Sequence, residues 1–241
     1  MIFSIADKLE NVRARIQKAT NSAQRPSDSV HLLAVSKTRR AEELISLMAI
    51  GHMHFGENYL NEALEKQLAL QELCEQQDKN EWFNAVVWHF IGPIQSNKTR
   101  AIAEHFSWVH SVDRLKVVQR LNDQRPAGLG PLNCCIQVNI DEEQSKAGVL
   151  LSDVEQLAAA IEAAPNLCLR GLMCIPQADQ GESALRQSFM RMNQKFAQLK
   201  ATYASMDTLS MGMSADIELA IECGSTMVRV GTALFGERPK A

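Results

Sequence analysis

Short runs of apolar and β-branched residues alternate along this chain with longer stretches whose apolar residues recur every three or four positions. The first stretch is helical: Ile5, Leu9, Val12 and Ile16 share a face, Ser4 is placed to cap it, and the helix stops before Pro26. The run at 30–36 predicts a buried strand, followed by a helix at about 41–50 that Gly51 ends. A short strand at 52–55 precedes a helix over about 58–74, and a strand at 86–91 precedes one over about 96–106. The fourth strand spans 108–112, with Leu115, Val118 and Leu121 on the helix after it. The fifth spans 133–140, and its helix opens on Ser152-Asp153-Val154-Glu155, a capping box, and continues through Leu157 and Ile161. The sixth spans 167–175, and Phe189, Met192, Phe196 and Leu199 mark the next helical face. A seventh strand at 208–211 leads to a helix over 214–223, an eighth at 227–230 to a short helix near Thr232. Eight strand–helix units with no linker and no repeat argue for one domain over 1–241, an α/β parallel (β/α)8 TIM barrel with an extra N-terminal helix. That helix either closes one end of the barrel or packs on its side. An open doubly wound sheet is the alternative.

Composition fits such a barrel. The chain has 241 residues, of which 46% are hydrophobic and 22% charged, enough to bury a large core. A net charge of −3 gives no electrostatic case for nucleic acid. No apolar run approaches the ~18 residues of a membrane span. Asp7, Lys8 and Glu10 interrupt the N-terminus where a signal core would lie, so a cytoplasmic protein is expected. The six cysteines form no C-x-x-C pair, and Cys134 and Cys135 should face opposite ways on one strand, so reduced thiols are expected rather than zinc ligands. His52 and His54 share a strand face with His89 on the next strand, but no carboxylate or cysteine spacing completes a metal site.

In a barrel the active face lies at the carboxyl ends of the strands. The residues expected there are Lys37, Glu57, Asn58, Gly92, Gln95, Ser111, Asn139, Ser214 and Arg229, while Lys98, Arg100, Arg39 and Arg40 read as a solvated rim. Lys37 ends an apolar strand, where it either meets solvent or points into a pocket as a partly desolvated amine able to condense with an aldehyde. Gly212-Met213-Ser214 and Gly231-Thr232 follow the last two strands, where barrels often hold a phosphate. Taken singly, Ser214 is equally an N-cap and Gly231 a turn. Arg229, inside Met227-Val228-Arg229-Val230, needs either an acid such as Glu222 or a ligand. An aldehyde-reactive lysine, a phosphate cradle and a buried arginine together describe a pocket for pyridoxal 5′-phosphate (PLP).

At these residues the chain resembles a known family. The stretches Ala34-Val35-Ser36-Lys37-Thr38, Phe55-Gly56-Glu57-Asn58-Tyr59 and Trp88-His89-Phe90-Ile91-Gly92-Pro93-Ile94-Gln95-Ser96-Asn97-Lys98 carry the likeness. So do Arg170-Gly171-Leu172-Met173, the run from Leu209 to Asp216 and the run from Gly224 to Thr232. All are similar to the PLP homeostasis protein family, bacterial relatives of the human PLP-binding protein formerly called proline synthase co-transcribed homologue. The match runs from the N-terminal helix almost to the C-terminus.

The resemblance implies a fold-type III PLP-binding barrel like the N-terminal domain of alanine racemase, lacking that enzyme's C-terminal β domain. It implies a Schiff base on Lys37, Asn58 beside the cofactor, phosphate contacts from Ser214, Gly231 and Thr232, and Arg229 near the pyridine nitrogen. Arginine there leaves that nitrogen unprotonated and weakens the ring as an electron sink. Lys146, in Ser145-Lys146-Ala147-Gly148, matches a family lysine implicated in PLP handling, although the family more often has serine in place of Ala147. The implied role is a carrier or regulator of vitamin B6 and amino-acid balance, with PLP-dependent apoenzymes as partners and a monomer as the expected state. The competing reading is a PLP-dependent amino-acid racemase. That chemistry needs an acid–base group on each face of the substrate. Lys37 serves one face, and in alanine racemases a tyrosine supplied with the second domain serves the other. Here the chain ends nine residues after Thr232, so no such domain is expected, and Tyr59 and Tyr203 are the only tyrosines.

Overall fold

The computed structural model describes residues 4–143, 146–177 and 180–237. Helix α1 (Ile5–Ser22) begins in a capping box in which Asp7 N–H donates to Ser4 Oγ at 3.1 Å and Ser4 N–H to Asp7 Oδ2 at 2.9 Å. Then follow β1 (His31–Val35), α2 (Ala41–Met48), β2 (His54–Glu57), α3 (Leu60–Gln76), α4 (Asn80–Ala85) and β3 (Val87–Phe90). The chain continues with α5 (Thr99–His105), β4 (Trp108–Val112), α6 (Leu115–Gln124), β5 (Leu132–Val138), α7 (Val154–Glu162) and β6 (Leu167–Cys174). It closes with α8 (Glu182–Lys200), β7 (Thr208–Met213), α9 (Ile217–Glu222), β8 (Met227–Val230) and α10 (Thr232–Phe235).

All eight strands are parallel and close into a barrel in chain order, with β8 paired to β1 from His31↔Met227 to Ala34↔Val230. Alternation along each strand divides the side chains. Ala34, Phe55, Val109, Cys134 and Val228 join one large core with the helices. Leu33, Ile91 and Met227, with Val35 against them, form a separate small cluster, as do Trp108, Cys135 and Met173 with Val87. Cys134 and Cys135 thus face opposite ways, and all six cysteines are free thiols. Helix α1 packs on the side of the barrel against α2, α9 and α10. Arg15 ties it there, pairing with Glu218 at 2.7 Å and donating to Ser214 O at 3.1 Å.

Four local expectations change. Strand β2 lies two residues later than the periodicity indicates, because buried Glu57 is paired with Lys66 and stays in the ladder opposite Phe90. The capping box expected before α7 does not form: Ser152 Oγ donates to Asp153 Oδ1, and 151–153 is a 3₁₀ turn. Gly212 and Met213 remain in β7, and Asp216 Oδ1 takes the Met213 N–H across the turn at 214–216, so α9 starts at Ile217 rather than at Ser214. Helix α4 was not visible as a period. It rests Trp82 and Phe83 on the main core.

Candidate functional site

Six strands deliver residues to one cavity of about 280 Å³ at the carboxyl end of the barrel. Its lining includes Lys37, Asn58, Ser214, Arg229, Gly231 and Thr232, with Ile91 and Ile175 as apolar wall. These six polar or glycine positions come from four separate stretches of the chain, and each was expected at or just after a strand end.

Lys37 lies two residues past β1, half-buried, in a turn that Thr38 reverses with a φ of 63°. A buried ion cluster fixes the backbone just before it. Lys66, on α3, donates to Ser36 O at 2.6 Å, Glu57 Oε1 at 2.7 Å and Glu62 Oε1 at 2.9 Å, and Ser36 Oγ donates to Glu57 Oε1 at 2.6 Å. Burial pushes the Glu57 carboxyl above its ordinary range, opposed by Lys66 and Ser36. The Thr38 N–H donates to Glu62 Oε1 at 2.6 Å, extending the same network past Lys37. Lys66 was missed from the sequence. Its signal was a charge at 66 on the face that also carries Ala63, Leu70 and Cys74.

Asn58 sits where β2 leaves the barrel, and its Oδ1 is buried without a hydrogen-bond partner among the described residues. The loop after β3 passes close by. A Cβ at Gly92 would fall 2.0 Å from Asn58 O, so only glycine fits there. At Gly231 a Cβ would lie 3.5 Å from Val35 O, in ordinary contact, so glycine there keeps the cavity wall bare rather than relieving a clash.

Arg229 is 4% exposed. Its Nη1 donates to Ser210 O at 2.7 Å and Ser210 Oγ at 2.9 Å, and its Nη2 to Cys174 O at 2.9 Å. Burial lowers its pKa from the ordinary arginine value, yet a guanidinium keeps its charge. It forms no ion pair among the described residues, and Glu222 instead meets Arg186 at 3.0 Å. Of five guanidinium N–H groups, three are taken by described residues, and the side chain lines the cavity.

Ser214 Oγ accepts from Ala233 N–H at 3.4 Å, joining the two loops expected to hold a phosphate. The N–H groups of Ser214 and Ala215 meet no acceptor among the described residues. Lys146 is not in the cavity wall. It lies at the rim, paired with Glu143 at 2.5 Å and donating to Pro176 O at 2.9 Å, next to lining residue Ile175. Ser111 and Asn139 turn to backbone: Ser111 Oγ donates to Gly92 O at 2.5 Å and Asn139 Nδ2 to Glu143 O at 2.8 Å. Gln95 and Tyr59 line a neighbouring cavity of about 390 Å³ that shares Asn58. Arg39 is not a solvated rim charge, because it donates to Gly236 O at 2.5 Å and lies over Phe235. No cluster of three metal-ligating side chains occurs among the described residues. No helix among them is long and apolar enough to cross a membrane.

Residues 8–239 match the family model described as alanine racemase, N-terminal domain. A curated relative from Pseudomonas aeruginosa, named pyridoxal phosphate homeostasis protein, is 52% identical over 235 residues, 98% of this chain and 96% of its own. The protein of that name from Escherichia coli K12 is 47% identical over 234 residues, 97% of each chain. Among solved structures, PipY of Synechococcus elongatus with PLP bound superposes with a TM-score of 0.80 at 32% identity, covering 97% of this chain and 100% of that one. Alanine racemase from Corynebacterium glutamicum shares the fold, with a TM-score of 0.64 at 14% identity, over 97% of this chain and 62% of that one.

Proposed function

The chain belongs to the pyridoxal phosphate homeostasis protein family, built on the alanine racemase N-terminal domain, and from that premise we propose that it binds PLP in the 280 Å³ cavity and keeps the cofactor available rather than catalysing with it. The observation that carries this reading is the convergence, on one cavity, of an amine at Lys37, the guanidinium of Arg229 and the hydroxyls of Ser214 and Thr232. Bound PLP supplies an aldehyde that condenses with amines and a ring that withdraws electrons. Lys37 would supply the amine for that aldehyde. Ser214, Gly231 and Thr232 hold the phosphate with backbone and hydroxyl donors. Arg229 would face the ring nitrogen and could donate to it without giving up a proton, because a guanidinium is never the acid at neutral pH. Asn58 closes the side of the cavity with its unpartnered Oδ1, and Lys146 stands at the rim, where cofactor enters and leaves.

The positions of the two tyrosines support a carrier over the racemase alternative. Neither tyrosine lines the cavity: Tyr59 is 53% exposed beside it, and Tyr203 packs on the outer core. Without a second acid–base group, proton exchange on both faces of a substrate has no agent. We read the protein as a working monomer that hands PLP to apoenzymes. Its free thiols support a reducing, cytoplasmic setting. The test is an absorption spectrum of the purified protein with added PLP, borohydride reduction and peptide mapping, followed by amino-acid turnover assays. A visible band, a reduced pyridoxyl group on Lys37 and no turnover are expected. A colourless protein overturns the cofactor assignment, and turnover overturns the carrier reading.

A further inference from the structure

Three histidines, a serine and an arginine run in single file through the barrel. His54 Nδ1 lies 3.1 Å from His89 Nε2, His89 Nδ1 3.0 Å from His110 Nε2, and His110 Nδ1 3.1 Å from Ser210 Oγ, which accepts from Arg229 Nη1. His89, His110 and Ser210 are fully buried, with the two small apolar clusters alongside. The His89 ring stacks on Trp108 with an interplanar angle of 18°, which holds it in line. The file starts at the other end of the barrel. His54 is the first residue of β2, exposed, and borders a cavity of about 550 Å³ with Arg13, His31 and His52.

The hydrogens in this file have a fixed order. Arginine only donates, so Ser210 Oγ accepts from Arg229 and its own hydrogen is left for His110 Nδ1. His110 then carries its hydrogen on Nε2 and gives it to His89 Nδ1, and His89 does the same to His54. Each hydrogen between Ser210 and His54 finds an acceptor, and every dipole along the file points away from the cation. In the opposite order Ser210 Oγ accepts from both sides, and its hydroxyl hydrogen has no acceptor among the described residues.

We infer that His54, His89, His110 and Ser210 are positioning residues for Arg229, an ordered relay in which protonation of His54 on the amino-end face reverses the hydrogens and changes the hydrogen bonding of Arg229 at the cofactor cavity. A proton on His54 Nδ1 requires His89 Nε2 to accept, which moves each hydrogen in turn from Nε2 to Nδ1 as far as Ser210. The groups facing His54 are His31 from β1, His52 before β2, whose Nε2 lies 2.9 Å from His54 O, Arg13 from α1 and His89 from β3. All are imidazoles or cations. Desolvation and His31 hold His54 below the usual histidine range, so the reversal belongs to mild acid. The effect at the cavity rests on the cofactor assignment above, whereas the hydrogen order does not.

The test uses the whole chain labelled with ¹⁵N-histidine. At neutral pH without added cofactor, His54, His89 and His110 should all be Nε2–H tautomers, and an Nδ1–H on His89 or His110 overturns the relay without any variant. In Ser210→Ala neither order is preferred, so the His54 titration should move up by about one pH unit, a tenfold change in proton affinity. Ser210→Thr, which keeps the hydroxyl, should restore it. A folded Ser210→Ala with an unmoved His54 midpoint also overturns the relay. In the PLP-loaded protein the visible band should shift at the His54 midpoint, and His54→Gln should abolish that step. Ordered tautomers with no such step overturn the reach to the cavity, while absence of any band counts against the cofactor assignment alone.

Discussion

The ammonium of Lys66 donates to the backbone carbonyl of Ser36 at 2.6 Å, one residue before Lys37. The same ammonium meets buried Glu57 at 2.7 Å, so a charge pair, rather than apolar packing, sets where β1 ends and where the reactive amine begins. Removing one partner strands the other charge in the core. Lys66→Met should therefore cost about 3–5 kcal/mol of unfolding free energy, the usual penalty for breaking a buried pair. The double variant Lys66→Met, Glu57→Leu should recover part of that loss. Denaturant titrations of the two variants check this, and a Lys66→Met loss below about 1 kcal/mol would show the pair to be hydrated.

Lys37 itself carries little of the fold, being half-buried and outside the strand. Lys37→Ala should unfold cooperatively with a change of less than about 1 kcal/mol, as for most positions away from the core. Borohydride should then leave no pyridoxyl label. A labelled Lys37→Ala protein would place the covalent anchor elsewhere.

Much of the barrel and the six polar or glycine positions of the cavity wall were legible because strand ends are marked by a change of residue type. Lys37, Ser214 and Gly231 each follow an apolar run, Asn58 follows the short second strand, and the closed ladder brings those ends together. The relations that periodicity cannot carry are those in which a charge sits inside an element. Glu57 reads as lying past the second strand, yet it belongs to β2 because Lys66 on α3 pairs with it. The six-residue α4 is too short to show a period, and the Ser152 box failed because Ser152 found Asp153 instead. Arg229 admitted two partners from the sequence. Only the fold shows Glu222 turned away to Arg186.

Arg229 makes three hydrogen bonds to the protein and lines the cavity. Arg229→Gln keeps polar character but loses the charge and the fork, so PLP affinity should fall by about 1.5–3 kcal/mol, the worth of a hydrogen bond to a charged group. Arg229→Lys should not rescue it, because a point charge cannot hold Ser210 and Cys174 and also reach the cavity. Equilibrium titration of PLP checks both, and unchanged affinity in Arg229→Gln would remove the ring-facing role.

Arg15 supplies a second route to the cavity. It pairs with Glu218 and donates to Ser214 O, so α1 steadies the turn expected to hold the phosphate. Arg15→Ala should weaken PLP retention severalfold while leaving the Lys37 label in place at saturating cofactor. Retention is read by the rate at which a trapping amine removes the band. An unchanged rate would confine Arg15 to helix packing.

Buried imidazoles also set how the protein meets acid. Desolvation brings His110 to about 3 and His52 to about 4, whereas in the unfolded chain each titrates near 6.5. Above pH 6.5 both states hold the same protons on these groups, and they leave stability independent of pH. Below it the unfolded chain binds protons that the folded barrel refuses, so stability falls as pH drops, by about 1.4 kcal/mol per pH unit for each group, until the folded values are reached. Glu57 acts in the opposite sense, because its raised pKa lets the folded state bind a proton first. The comparison that isolates the histidine is therefore wild type against His110→Gln, in which Glu57 cancels. Urea unfolding between pH 7 and 4.5 should show a shallower loss of stability in the variant, by one proton's worth of slope. Equal slopes would mean that His110 takes up its proton inside the folded barrel, and the dry interior around Arg229 would have to be given up.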